Sequence, residues 1–340
     1  MGKLHRYIFS HLNVLFFSIF IPLFTIASVI FMIKLATYTA IIQLNVAEMG
    51  KLYLFVLPEL LFYTLPIAFV VAGALTLYRL SNDNEMVVVF SLGVSPSYLG
   101  KILFLPSFLL SLVLIADFLI ITPYLNIVNE SFLVSKKAEA QFNLTASEFG
   151  HSFGNWILFI NKSDSNKKLY DNVVLFNIDV KEEILITADH AKLLNHNGML
   201  QLNLTDGNGY SYAKDTFKYM KYEQLKINDT PDNKIITYNG LIDYWTNDTR
   251  RERKQQILIT NTLLGFFPLL SIFLIMALGI VHARHQKRWI YLWLFLSIVL
   301  YYMSAMLLQK WLIYWTIPVV AFIWFGGTYV LYRRLVGNRF

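Results

Sequence analysis

Arg250, Arg251, Arg253 and Lys254 place four cations in five positions. Arginine forks bind phosphate oxygens bidentately, so such a cluster suits a phosphorylated ligand. Contact with ordinary lipid head groups is the other open reading. Lys34 and Lys310 are candidates for the same rim, with Lys51, Lys136 and Lys137 as further possible members. Two carboxylates, Glu59 and Asp117, sit inside apolar runs. Acids in a membrane span are costly and by default mark a function. They could pair with rim cations, share a proton or line a polar cavity; either could also sit in the head-group zone.

Other chemistry is missing. Gly50-Lys51 and Gly100-Lys101 lack the earlier glycine of a phosphate loop, having Asn45 and Ser95 there. The seven histidines form no ligand cluster, and there is no cysteine. No nucleophile elbow occurs. The sequence therefore predicts no metal site, no cofactor and no intrinsic enzyme activity.

The remaining candidate is a short polar interruption, Arg79 to Lys101. Asp83 is read as a helix cap, Glu85 suits a first turn, and Gly93 with Pro96 stops the helix. Its body, Met86, Val87, Val88, Val89 and Phe90, is apolar all round and so needs cover on several sides. It is either a plain interfacial loop or a docking helix whose outer side a protein covers.

These residues need a scaffold, and the composition names it. The 340 residues are 56% hydrophobic and 15% charged, in long charge-poor runs, which reads as an integral membrane protein. Six spans are expected, at about 8–33, 52–78, 102–121, 257–281, 289–308 and 311–332. The first is too long for a signal-peptide core and reads as retained. Pro22, Pro58 and Pro66 read as kinks, and Gly326-Gly327 as a kink or close-packing device.

Lys3, Arg6, Arg79, Lys101, Arg284, Lys287, Arg288, Arg333, Arg334 and Arg339 fall on one side, against Lys34, Lys51 and Lys310 opposite. Ten against three puts both termini and the 79–101 segment in the cytoplasm. Glu59 and Asp117 then lie roughly 10 Å and 6 Å below the outer ends of their spans.

Between the third and fourth spans lies a polar insert. Partial alternation at Trp156–Asn161, Asn172–Ile178, Ile184–Ala188, Met199–Thr205 and Thr216–Ile227 predicts strands. Ser163–Asn166, Asn195–Gly198 and Asp206–Gly209 read as turns. The pattern suggests an all-β sandwich or jelly roll. Thr249-Arg-Arg-Glu252 fits a capping box leading into the fourth span. The divisions are 1–128 with a coupling helix near 82–92, 129–246 for the external β domain, and 247–340.

This order of parts resembles the LptF/LptG family of lipopolysaccharide-export permeases. The matching residues are Leu57-Pro-Glu59, Leu65-Pro66, Leu80 through Glu85 and Leu92-Gly-Val-Ser95. Ala138-Glu-Ala140, Trp156–Ile160, Tyr170–Phe176, Ala188-Asp189 and Trp245–Arg250 continue the likeness, which leans toward the LptF half. The resemblance implies one half-permease of an inner-membrane ABC transporter, with the β domain in the periplasm. Its partners would be a second LptF/LptG-type half, an LptB-type ATPase dimer, a single-span LptC-type bridge protein and lipopolysaccharide.

It also implies that Asp83, Glu85, Met86, Val89, Phe90 and Gly93 couple to the ATPase. Lys34, Arg250, Arg251, Arg253, Lys254 and Lys310 would hold lipid phosphates. Asp117 has no counterpart. A membrane scaffold or sensor, or a mechanotransmission-type ABC protein that moves no lipid through itself, are the alternatives.

Overall fold

The computed structural model describes residues 2–39, 44–141, 151–153, 156–164, 169–178, 182–196, 199–213, 216–229, 244–245, 251–281 and 289–337. The chain divides into two compact units. The first comprises Met1–Ile33, Tyr53–Leu125 and Tyr238–Phe340; the second comprises Lys34–Leu52 and Asn126–Thr237.

The helices are α1 (Gly2–Thr39), α2 (Val46–Asn82), α3 (Glu85–Ser91), α4 (Pro96–Ala116) and, after a π turn at Asp117–Ile121, α5 (Thr122–Gln141). Beyond the insert come α6 (Arg251–Leu270), α7 (Ile272–Gly279), α8 (Ile290–Leu312) and α9 (Thr316–Tyr332). Among the described residues, four helical stretches are long and apolar enough to cross a membrane: Gly2–Thr37, Val46–Asn82, Pro96–Leu133 and Ile290–Gly337. The pair Glu252–Leu270 and Ile272–Gly279, bent by 45°, makes a fifth if it is counted as one span. Ile290–Gly337 passes through a 3₁₀ turn at Ile313–Trp315, where Ile313 has φ 45°.

The third stretch is longer than the run to Ile121 suggested. Pro123 marks an end there, because it has no N–H to give the carbonyl of Leu119, four residues back. The indole of Trp245 supplies that donor instead, bonding the Leu119 oxygen at 3.3 Å. Helix continues from Pro96 past Pro123, and Asp117 lies within it rather than near its end.

The centre of the first unit is aromatic. Tyr301 of α8 is wholly buried and donates to the Leu263 carbonyl of α6 at 2.6 Å. Its ring lies 4.5 Å from Phe267 and 4.8 Å from Trp324, so α6, α8 and α9 share one contact. The α6–α7 bend falls at Ser271, three residues after Pro268, and Trp324 Nε1 donates to Ser271 Oγ at 3.2 Å. At the far end of α7, a Cβ on Gly279 would stand 2.6 Å from Leu77 Cβ and 2.8 Å from the Ala74 carbonyl. Only glycine permits that crossing. At Gly326 and Gly327, by contrast, an added Cβ would meet nothing within 4 Å among the described residues.

In the second unit, β1 (His151–Phe153), β2 (Trp156–Asp164), β3 (Leu169–Ile178), β4 (Glu182–His196), β5 (Met199–Ala213) and β6 (Thr216–Asp229) form one antiparallel sheet in sequential order. The described strands thus make a meander, without the crossover of a jelly roll. One face carries the core, including Leu158, Ile160, Leu175, Ile186, Leu202 and Leu204.

Asn161, Asn172, Asp189, Asp206 and Glu223 form a row that is skipped in every register. Buried positions change phase across this row: Val173 and Leu175 on one side, Tyr170 on the other; Ile186 and Ala188, then Ala191. A one-residue slip in one strand would turn its side chains to the wrong face. Here all five strands slip together, so the core face is preserved. Asn172 and Asp206 make the step with φ 50° and 52°, conformations that Asn and Asp tolerate.

The expected turn at Asp206–Gly209 is therefore strand interior. Gly207 is required by proximity, since its Cβ would lie 1.9 Å from the Thr187 carbonyl. Tyr222 donates to that same carbonyl at 2.8 Å.

Candidate functional site

Helix α3 hangs from the end of α2 by a two-residue turn. The N–H of Asp83 bonds the Arg79 carbonyl at 2.9 Å, and Asn84 occupies the cap position with φ 61°. Asp83 is not the cap: its carboxylate lies 3.9 Å from Arg79 instead, an exposed pair of little energetic weight. Asn84 holds the position because its left-handed backbone redirects the chain, and no side-chain cap bond forms.

The other end of α3 closes with a glycine motif. Gly93 has φ 80°, its N–H reaches the Phe90 carbonyl at 3.0 Å, and the Val94 N–H reaches Val89 at 3.4 Å. Pro96 then opens α4.

The all-apolar body of α3 is divided by burial. Met86 is 3% exposed and belongs to the helical core, with Phe90 packed against that core. Val89 is half-buried. Val87, Val88 and Leu92 are 45%, 58% and 77% exposed. Met86 thus faces the helical core and anchors α3, and the outward face is Val87, Val88 and Leu92. None of these three is in the set that the resemblance implies for ATPase coupling, because an all-apolar run does not itself say which side faces the bundle. Glu85 accepts a 2.7 Å hydrogen bond from Tyr7, which ties the start of α1 to α3.

The basic cluster separates too. Arg250 and Thr249 lie outside the described residues, and Arg251 opens α6 with Glu252 in its first turn. Arg253 is exposed. Lys254 is buried, donates to the Tyr244 carbonyl and holds its ammonium 4.6 Å from the Tyr244 ring centre. It thus turns inward, where a carbonyl and a π face satisfy its charge. Lys310, in the last turn of α8, is exposed. In the second unit Lys34 is exposed, and Lys136 pairs with Glu48 at 2.6 Å.

The two acids differ as well. Glu59 is exposed, whereas Asp117 is buried and its Oδ2 has no hydrogen-bond partner among the described residues. Beside Asp117, Phe118 packs edge-on against Phe62 at 5.8 Å and Trp245 at 6.4 Å. No group of three or more metal-ligating side chains occurs among the described residues.

Residues 6–327 match the family described as lipopolysaccharide export system permease LptF/LptG. No curated protein matches the chain. With the match spanning nearly the whole sequence, the chain belongs to the LptF/LptG family.

Proposed function

We propose that this LptF/LptG-family permease is one half of an ABC transporter that draws lipopolysaccharide from the inner membrane and passes it to a periplasmic bridge. The observation that carries this reading is α3. It is a short helix fixed from within by Met86 and at its start by Tyr7, yet it presents Val87, Val88 and Leu92 outward. A rigid apolar knob beside a chain with no nucleotide motif suits a separate motor subunit, here an LptB-type ATPase dimer. Asp83, Glu85, Val89, Phe90 and Gly93 shape and flank that contact.

Taking Ile290–Gly337 as two spans parted at Ile313, and the bent α6–α7 pair as one, brings the count to six. An even count and the basic bias of the 79–101 side support a topology with both termini in the cytoplasm and the β domain in the periplasm. Arg250, Arg251, Arg253, Lys34 and Lys310 then supply cations for lipid phosphates, with apolar helix faces for the acyl chains. Lys254 positions the start of α6 through Tyr244. A second LptF/LptG-type half and an LptC-type protein complete the assembly.

The test is affinity purification from membranes, with mass spectrometry of captured chains and lipid, followed by ATPase assay. A separate ATPase should copurify, and lipopolysaccharide should stimulate its hydrolysis. A preparation with no ATPase, together with undisturbed lipopolysaccharide delivery after depletion, would replace the transporter reading with a scaffold or sensor.

A further inference from the structure

A cleft of about 610 Å³ opens between the first turns of α4, the α6–α7 bend and the last turns of α9. That is the size of a small-ligand site. Its walls are apolar: Phe104, Phe273, Met276, Phe325 and Tyr329, with Lys101 as the one cation. No acid is among the lining residues. Phe273 meets Phe325 and Tyr329 edge-on at 5.1 Å each, giving a firm aromatic wall. Phe104, Phe325 and Tyr329 are 53%, 46% and 43% exposed, so the cleft opens sideways from the helices.

Cations gather at the same end. Lys101 is exposed and makes no ion pair among the described residues. Arg333 and Arg334 follow directly on Tyr332, another lining residue, and both are exposed. The opening turn of α4, at Ser97, adds the positive end of a helix dipole. The charge bias assigns this end to the cytoplasmic side.

We propose that the cleft is a binding site for an anionic phospholipid of the cytoplasmic leaflet. One acyl chain lies along Phe273 and Met276, and the phosphate sits at Lys101. An apolar slot open to the side, with Lys101 and no acid among its lining residues and with Arg333 and Arg334 close by in sequence, selects an amphiphile of that charge. The cargo proposed above plays no part in this argument, so the site stands or falls independently of transport.

The test uses the full chain in nanodiscs of equal parts phosphatidylglycerol and phosphatidylcholine. A benzoylphenylalanine replaces Phe104 or, as a control on the exposed face of α8, Phe295. After irradiation, lipid adducts are identified by mass spectrometry. The Phe104 position should be enriched in phosphatidylglycerol by about fivefold over the control, the effect of one juxtamembrane cation. Lys101→Glu should remove the enrichment and leave the control unchanged; Lys101→Gln serves the same purpose if that variant accumulates poorly. Equal lipid ratios at the two positions, enrichment that survives loss of the Lys101 charge, or adducts to protein in place of lipid would each overturn the proposal.

Discussion

The hydroxyl of Tyr7 donates to Glu85 across 78 positions of sequence, at 2.7 Å. It links the first turns of α1 to the first turn of α3, so α3 is held at its start as well as through its buried methionine. Tyr7→Phe removes the donor and keeps the ring. One exposed hydrogen bond contributes roughly 0.5–1.5 kcal/mol. Amide exchange in α3 should therefore quicken by about threefold to tenfold, with the rest of the bundle unchanged. Unaltered exchange at residues 85–91 would show that Met86 alone fixes the helix.

Met86 and Val88 lie two positions apart and should behave oppositely. Met86→Ala empties a fully packed site and should cost about 2–5 kcal/mol, read as a lower thermal midpoint. Val88→Asp changes an exposed side chain and should move stability by less than about 0.5 kcal/mol. It should nevertheless abolish copurification of the ATPase. Full ATPase recovery with Val88→Asp would remove the outward face of α3 from the coupling contact.

Gly279 should accept no side chain. Its Cβ would meet the Ala74 carbonyl and the Leu77 Cβ, both fixed to the α2 backbone and unable to swing aside. Gly279→Ala should cost about 1–3 kcal/mol through overpacking. Gly326→Ala and Gly327→Ala, where space is open, should leave the midpoint of the chain alone within about 0.5 kcal/mol.

Tyr222 links stability of the sheet to pH. Burial, and then the charge of Asp189, push its phenol up to about 12. A raised folded-state value means the neutral phenol favours the fold. That contribution is complete below the ordinary value near 10 and is lost as pH climbs toward 12. A tyrosinate difference titration, intact chain minus Tyr222→Phe, should show a midpoint near 12. A midpoint near 10 would mean that the Tyr222 phenol is solvated rather than buried in the sheet.

Much of this architecture was legible because membrane spans announce themselves by length and by absence of charge. The run from Tyr7 to Ile33 carries no Lys, Arg, Asp or Glu, and α1 covers it. Details that depend on distant partners were hidden. Pro123 is a local stop signal, yet the helix runs on through it, with the Leu119 carbonyl taken up by Trp245 from some 120 positions later. Lys254 belongs to a basic cluster in sequence but to Tyr244 in space. The α3 run gave its composition and its glycine stop, yet which of five apolar residues faced inward required the bundle. Asp206–Gly209 has turn composition for a different reason, the local strain and crowding of the phase step.

That step behaves like a dislocation line in a crystal. Strand lengths on either side of the row at Asn161, Asn172, Asp189, Asp206 and Glu223 are not independent, because each strand contributes one surplus residue at the same level. Deleting the surplus from a single strand inverts half of that strand against its neighbours. Deleting it from all five restores an unbroken lattice. A length change at this level therefore keeps the core face only when all five strands change together.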